Sequence, residues 1–68
     1  MGRINLKKFR IGLGLKSKEF AEKTNISKEH YSNIELGKSN PSYEYIETFE
    51  KVFNVDEKEV WGLFKKSE

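Results

Sequence analysis

Residues 15–42 read LKSKEFAEKTNISKEHYSNIELGKSNPS, and this stretch decides the architecture. Phe20 and Ala21 sit on a helical segment that starts near Ser17. Tyr31 and Ile34 sit on a second one, opened by Ser27, whose hydroxyl can accept the orphan amides of a first turn. Between them Asn25 is the non-glycine residue that best tolerates a left-handed backbone. The second segment ends at Leu36, and Gly37 stands where a helix commonly passes into the left-handed region. The spacing therefore predicts helices over Ser17–Thr24 and Ser27–Leu36 joined by a tight turn, the helix-turn-helix arrangement. Ala21 supplies the small residue at the crossing, with Ile26, Tyr31 and Ile34 facing inward. An ordinary helical hairpin needs the same features, so this spacing alone leaves both readings open.

Outside this stretch the apolar period stays helical. Leu6, Phe9 and Leu13 fall at i, i+3, i+7 on a first helix closed by Gly12 and Gly14. Asn40-Pro41 enforces an extended dipeptide, and Ser42 caps a fourth helix with Ile46, Phe49 and Phe53 on one face and Tyr45 and Val52 beside them. Asn54-Val55 breaks it. Asp56, with Glu59 three residues on, has the form of a reciprocal cap to a fifth helix carrying Val60, Leu63 and Phe64. The KKSE ending reads as a frayed polar tail. The expectation is an all-α fold, five short helices around one core. It forms a single domain over residues 1–68, ordered over about 3–65.

Composition narrows the chemistry. The 68 residues contain no cysteine and one histidine, His30, which removes disulfides, thiolate zinc sites and a histidine-rich metal site. There is no cysteine nucleophile, no glycine-rich phosphate loop and no evident Ser and Asp partner for His30, so an enzyme is not expected, nor a cofactor or small-molecule ligand. No apolar run approaches the roughly 20 residues of a membrane span, and MGRINLKKFR lacks the apolar core of a signal peptide. A cytosolic chain with no membrane partner is the expectation.

The net charge of +2 is small, but its distribution is uneven. Residues 1–38 hold nine Lys/Arg against four Glu, a net +5, and residues 39–68 hold four Lys against seven Asp/Glu, a net −3. A basic front with an acidic back suits a molecule that meets a polyanion from one side, although a solvated surface with chance clustering gives the same count.

The segment from Leu15 to Ser42 resembles the phage-repressor family of helix-turn-helix proteins, the lambda repressor and Cro class, also called XRE-type. In that family Leu-Thr-Gln-x-x-Leu-Ala precedes a Ser-led recognition helix and an Ile-Glu-x-Gly-x-x-x-Pro-Ser ending. Leu15, Ala21, Ser27, Ile34, Glu35, Gly37, Lys38, Asn40, Pro41 and Ser42 match at the family's spacing, and VFNVDEKEVW is similar to its approach to a fifth helix. The resemblance runs from about Leu6 to Phe64. Three positions depart from it: Lys16 replaces a capping Thr, Ser17 a phosphate-anchoring Gln, and Asn25 the turn Gly. The resemblance implies a lambda-repressor-like fold and a prokaryotic or phage-encoded repressor in the bacterial cytosol.

The outer face of the second helix of the pair carries Lys28, Glu29, Ser32 and Asn33 at i, i+1, i+4, i+5. Each is competent at a base edge: Lys28 can donate to guanine, Glu29 can accept from cytosine N4, and Asn33 can bridge adenine N6 and N7. The resemblance puts base contacts at these same positions. Lys28 suits a phosphate equally well, Glu29 suits the positive end of a helix dipole, and Asn33 could be plain surface. Phosphate contacts are expected from Ser17, Lys18, Ser27, Lys38, Ser39 and Asn40. His30 either joins them or covers the turn. Arg10 and Glu35 look like the family's paired charges, the alternative being an exposed Arg10 on phosphate.

One helix in a groove makes too small a footprint to find one site in a genome, so a homodimer on two half-sites of double-stranded DNA is expected. Val60, Trp61 and Phe64 are candidates for its interface unless they merely close the core. The rival reading is a helical protein-interaction module, an antitoxin or anti-repressor that does not read bases.

Overall fold

The computed structural model describes residues 2–66, and among them the only regular elements are five helices. They are α1 (Ile4–Gly12), α2 (Ser17–Lys23), α3 (Lys28–Glu35), α4 (Tyr43–Phe53) and α5 (Glu57–Phe64). Ser67 and Glu68, half of the expected frayed tail, lie outside the described residues. α2 packs on α3, α1 lies across α5 and α3, and α4 closes against α5.

The boundaries follow from caps. Ser27, Ser42 and Asp56 each accept the amide three residues on, from His30 (3.1 Å), Tyr45 (3.1 Å) and Glu59 (2.8 Å). α2 lacks this device. Lys16 at its N-cap has no acceptor, and only the reverse bond forms, Lys16 N–H to Glu19 Oε1 at 2.8 Å.

Two helix ends share one geometry. After α2, Asn25 adopts φ 62° while the Ile26 amide reaches Ala21 O (3.0 Å) and the Asn25 amide reaches Glu22 O (3.2 Å). After α3, Gly37 adopts φ 81°, with the Lys38 amide on Asn33 O (2.9 Å) and the Gly37 amide on Ile34 O (3.1 Å). Both are Schellman endings, which satisfy orphan carbonyls and reverse the chain. The corner of the helix-turn-helix is therefore a helix C-cap built on asparagine.

The core is largely aromatic. Phe20 stacks on Phe53 with centroids 4.8 Å apart, and Phe49 meets Phe64 edge-on at 5.0 Å. Leu6, Phe20, Ala21, Tyr31, Ile34, Phe49 and Val60 have no exposed surface. Large flat rings let a chain this short remove much apolar area from water with few residues.

Three expectations change. Leu13 is 48% exposed, because α1 ends at Gly12 and the helical period no longer governs where residue 13 points. Val52 is also exposed, at the margin of the apolar face of α4. Val60 and Phe64 close the core, at 0% and 6% exposed, and of the three interface candidates Trp61, 54% exposed, is the one that is largely open to solvent.

Candidate nucleic-acid interface

α3 divides into an inner and an outer side. Tyr31 and Ile34 are fully buried, in a helix that packs against α2 and α1. Lys28, Glu29 and His30 are exposed, and Ser32 and Asn33 are half-exposed. The side chains of Lys28, Glu29, Ser32 and Asn33 make no hydrogen bond or ion pair within the described protein. Four polar groups thus share one helix face with no structural duty. Ser27 Oγ is occupied as an acceptor by the cap, but its proton remains free for an outside acceptor.

The candidate phosphate contacts lie on the elements next to α3 in the chain. Lys18 is exposed and Ser17 half-exposed at the start of α2, while Lys38, Ser39 and Asn40 follow α3 in the connection to α4. Lysines dominate the surface of the first 38 residues: seven are exposed, against three exposed glutamates.

Neither arginine contributes to that surface in the way the sequence count suggests. Arg10 Nε donates to Glu35 Oε2 at 3.0 Å and Nη1 donates to Leu15 O at 2.9 Å, with side-chain exposures of only 12% and 14% for the Arg10–Glu35 pair. The Tyr31 hydroxyl donates to the same carboxylate oxygen. Burial works against the Arg10 charge, but the Glu35 hydrogen bond and charge outweigh it and hold the guanidinium above its ordinary pKa. Burial, then the bond to Glu35, raises the Tyr31 hydroxyl well beyond the usual phenol range. The trio joins α1 to the far end of α3 and so fixes how the outer face is presented.

Arg3 is the residue sequence reasoning missed. It belongs to the basic front by count, yet only 3% of it is exposed. Its Nε donates to Phe64 O (2.8 Å), Nη1 to Ile34 O and Ser39 O (3.0 Å), and Nη2 to Asn40 Oδ1 (3.0 Å). Its amide donates to Glu35 O at 2.7 Å. Desolvation lowers its pKa, but an arginine stays charged, and that charge sits at the carboxyl ends of α3 and α5 where helix dipoles favour it. No periodicity marks such a residue. The nearest sequence signal is Gly2, where an added Cβ would lie 3.0 Å from Glu35 O, a close approach that favours glycine.

Thr24 is likewise more than a helix end. It is buried, donates to Phe20 O (3.1 Å), and accepts from the Tyr45 hydroxyl at 3.0 Å, pinning α4 beside the turn. Burial pushes the Tyr45 phenol up to about 12, with the Thr24 bond working in the opposite direction.

A capped helix with an unbonded polar face, set by a tight turn across a supporting helix and flanked by lysines, defines a helix-turn-helix DNA-binding domain. The sequence matches the helix-turn-helix family over residues 6–60, and the chain belongs to that family, in its phage-repressor (XRE) branch. It is a DNA-binding transcription regulator. It is 31% identical to an uncharacterized HTH-type transcriptional regulator of Archaeoglobus fulgidus, an alignment covering 88% of this chain and 97% of the relative. No solved structure matches it significantly.

Proposed function

We propose that the protein is a cytoplasmic repressor that binds a palindromic operator as a homodimer, α3 of each copy lying in the major groove. The observation that carries this reading is the outer face of α3, whose four polar side chains have no partner within the described protein. A helix about 10–12 Å across fits a groove about 12 Å wide. In that pose Lys28, Glu29, Ser32 and Asn33 meet base edges. Ser17, Lys18, Ser27, His30, Lys38, Ser39 and Asn40 meet phosphates, which set register without reading sequence. Repression follows from occupying the operator, and the protein performs no catalysis. Among the described residues no helix is long and apolar enough to cross a membrane.

The second copy is assigned to the face around Trp61. Trp61 and Tyr43, 54% and 76% exposed, flank an apolar groove of about 250 Å³ that reaches Pro41, Ile46 and Phe64. Exposed aromatics beside an apolar groove are what the core of a protein interface uses. The need for two half-sites supplies the reason for a second copy.

Selection of bound duplexes from a random double-stranded library at near-physiological salt tests the reading. A palindrome whose half-site centres lie about one helical turn apart is expected. Recovery of no preferred sequence would refute base reading. Trp61→Glu should leave α3 intact, shift the sedimenting species to monomer and weaken operator binding; an unchanged dimer would refute the assigned interface.

A further inference from the structure

We infer that Arg3 is a positioning residue for DNA binding: its guanidinium holds the Asn40 carboxamide where that side chain donates to a phosphate. This rests on the proposal above that the chain following α3 meets the DNA backbone.

The connection from α3 to α4 has few tethers of its own. Lys38 and Ser39 share one acceptor, Asn33 O, at 2.9 and 3.1 Å, and Pro41 has no N–H to give. Beyond Ser39 the restraint comes from Arg3. Its Nη1 holds the Ser39 carbonyl and its Nη2 holds Asn40 Oδ1, both at 3.0 Å.

A carboxamide is planar, so engaging its oxygen orients its nitrogen. Asn40 is exposed, and its Nδ2 carries two donors that no described residue accepts. The same guanidinium holds Ile34 O at the end of α3 and Phe64 O at the end of α5. The phosphate-facing amide is thereby locked in register with the helix that carries the base-facing residues. Four of the five arginine N–H groups are engaged in this way. The fork geometry is specific to arginine, because a lysine offers a point charge on a flexible stem.

Arg3 touches no DNA in this arrangement. Its effect is on affinity for any duplex, not on the choice of sequence, since the contact it prepares is to phosphate. The contact is neutral-to-charged and displaces no cation, so the salt slope stays as it is.

The test is a double-mutant cycle on a short mixed-sequence duplex, at a temperature where circular dichroism shows each variant folded. Arg3→Lys and Asn40→Ala should each weaken binding about tenfold, the scale of one hydrogen bond to a charged acceptor. The double variant should bind no worse than Asn40→Ala, although Arg3→Lys still lowers its melting temperature. Additive losses in affinity would overturn the inference and leave Arg3 a purely structural residue. Weakened binding by Asn40→Ala with none by Arg3→Lys would overturn the inference while sparing the phosphate contact. Unchanged binding by Asn40→Ala would overturn the contact and the inference together. If Arg3→Lys does not fold, Arg3→Gln, which keeps a donor but loses the fork and the charge, replaces it. Binding should then fall in the wild-type background and not in the Asn40→Ala background, and an equal fall in both would overturn the inference.

Discussion

Replacing Glu35 with glutamine removes a charge and changes almost no volume, so it isolates what the carboxylate contributes. Three donors converge on it: Arg10 Nε at 3.0 Å, Arg10 Nη2 at 3.5 Å and the Tyr31 hydroxyl. Glutamine offers one acceptor oxygen and an NH2 group that faces these donors unfavourably. Arg10 would keep Leu15 O as its remaining bond and lose its counter-charge in a site only 12–14% exposed. Breaking a buried pair from one side costs about 3–5 kcal/mol, and the residual exposure argues for about 3. A domain of 68 residues has a total stability of only about 3–10 kcal/mol. At about 4–8 °C per kcal/mol for this size, the melting temperature should fall by about 12–24 °C. A thermal melt followed by far-ultraviolet circular dichroism measures it. Removing all three polar partners together, with Arg10→Met, Glu35→Leu and Tyr31→Phe, should restore much of the loss because no charge is left stranded. A fall under about 4 °C for Glu35→Gln, the size expected of a surface pair, would refute the assignment of this trio as a buried brace.

Asn33→Ala should cost about 1–3 kcal/mol of discrimination at one base pair, measured as the ratio of affinities for the operator and a single-pair variant; equal loss on operator and random DNA would remove Asn33 from the base-reading set. At the turn, Asn25 at φ 62° predicts that Asn25→Gly is neutral or stabilising in urea denaturation while Asn25→Ala costs about 1 kcal/mol. Stability should also fall in alkali. Unfolded tyrosine ionises near 10, whereas burial holds Tyr45 neutral up to about 12 and Tyr31 further still. The stability this represents is therefore complete below about pH 10 and is lost as pH rises toward 12, by about 2–3 kcal/mol for Tyr45. Melts between about pH 9 and 11.5 should show a decline that is shallower in Tyr45→Phe.

The parts of the fold legible in the sequence are those governed by short-range rules. Ser27, Ser42 and Asp56 announce helix starts because a cap needs a side-chain acceptor at one fixed offset. Asn25 and Gly37 announce helix ends because only certain residues enter the left-handed region cheaply. Both rules act within a few residues and leave their mark locally. Arg3 obeys neither. Its partners lie 31 to 61 residues away and are mostly main-chain carbonyls, which any sequence would supply. Trp61 and Phe64 show the same limit from the apolar side. Helical spacing places both near one another, but which one α4 covers depends on how α5 crosses it, and that angle is a property of the assembled core.

The distribution of duties within α3 explains how so small a domain can leave the outer face of a helix unoccupied. Ser27 caps its first turn, Tyr31 and Ile34 supply its burial, and Glu35 ties it to α1. Its last carbonyls are met by the Schellman ending and by Arg3. Among the described residues no buried polar side-chain atom lacks a partner, so the helix needs nothing further from Lys28, Glu29, Ser32 or Asn33. Those four positions can therefore change identity at little cost to folding, surface substitutions usually staying within about 0.5 kcal/mol. On the proposed reading, specificity and stability are thus carried by different residues of one helix. The consequence can be measured: exchanging all four for another polar set should alter the preferred DNA sequence and leave the melting temperature within a few degrees. A large loss of stability would show that the outer face has a structural role after all.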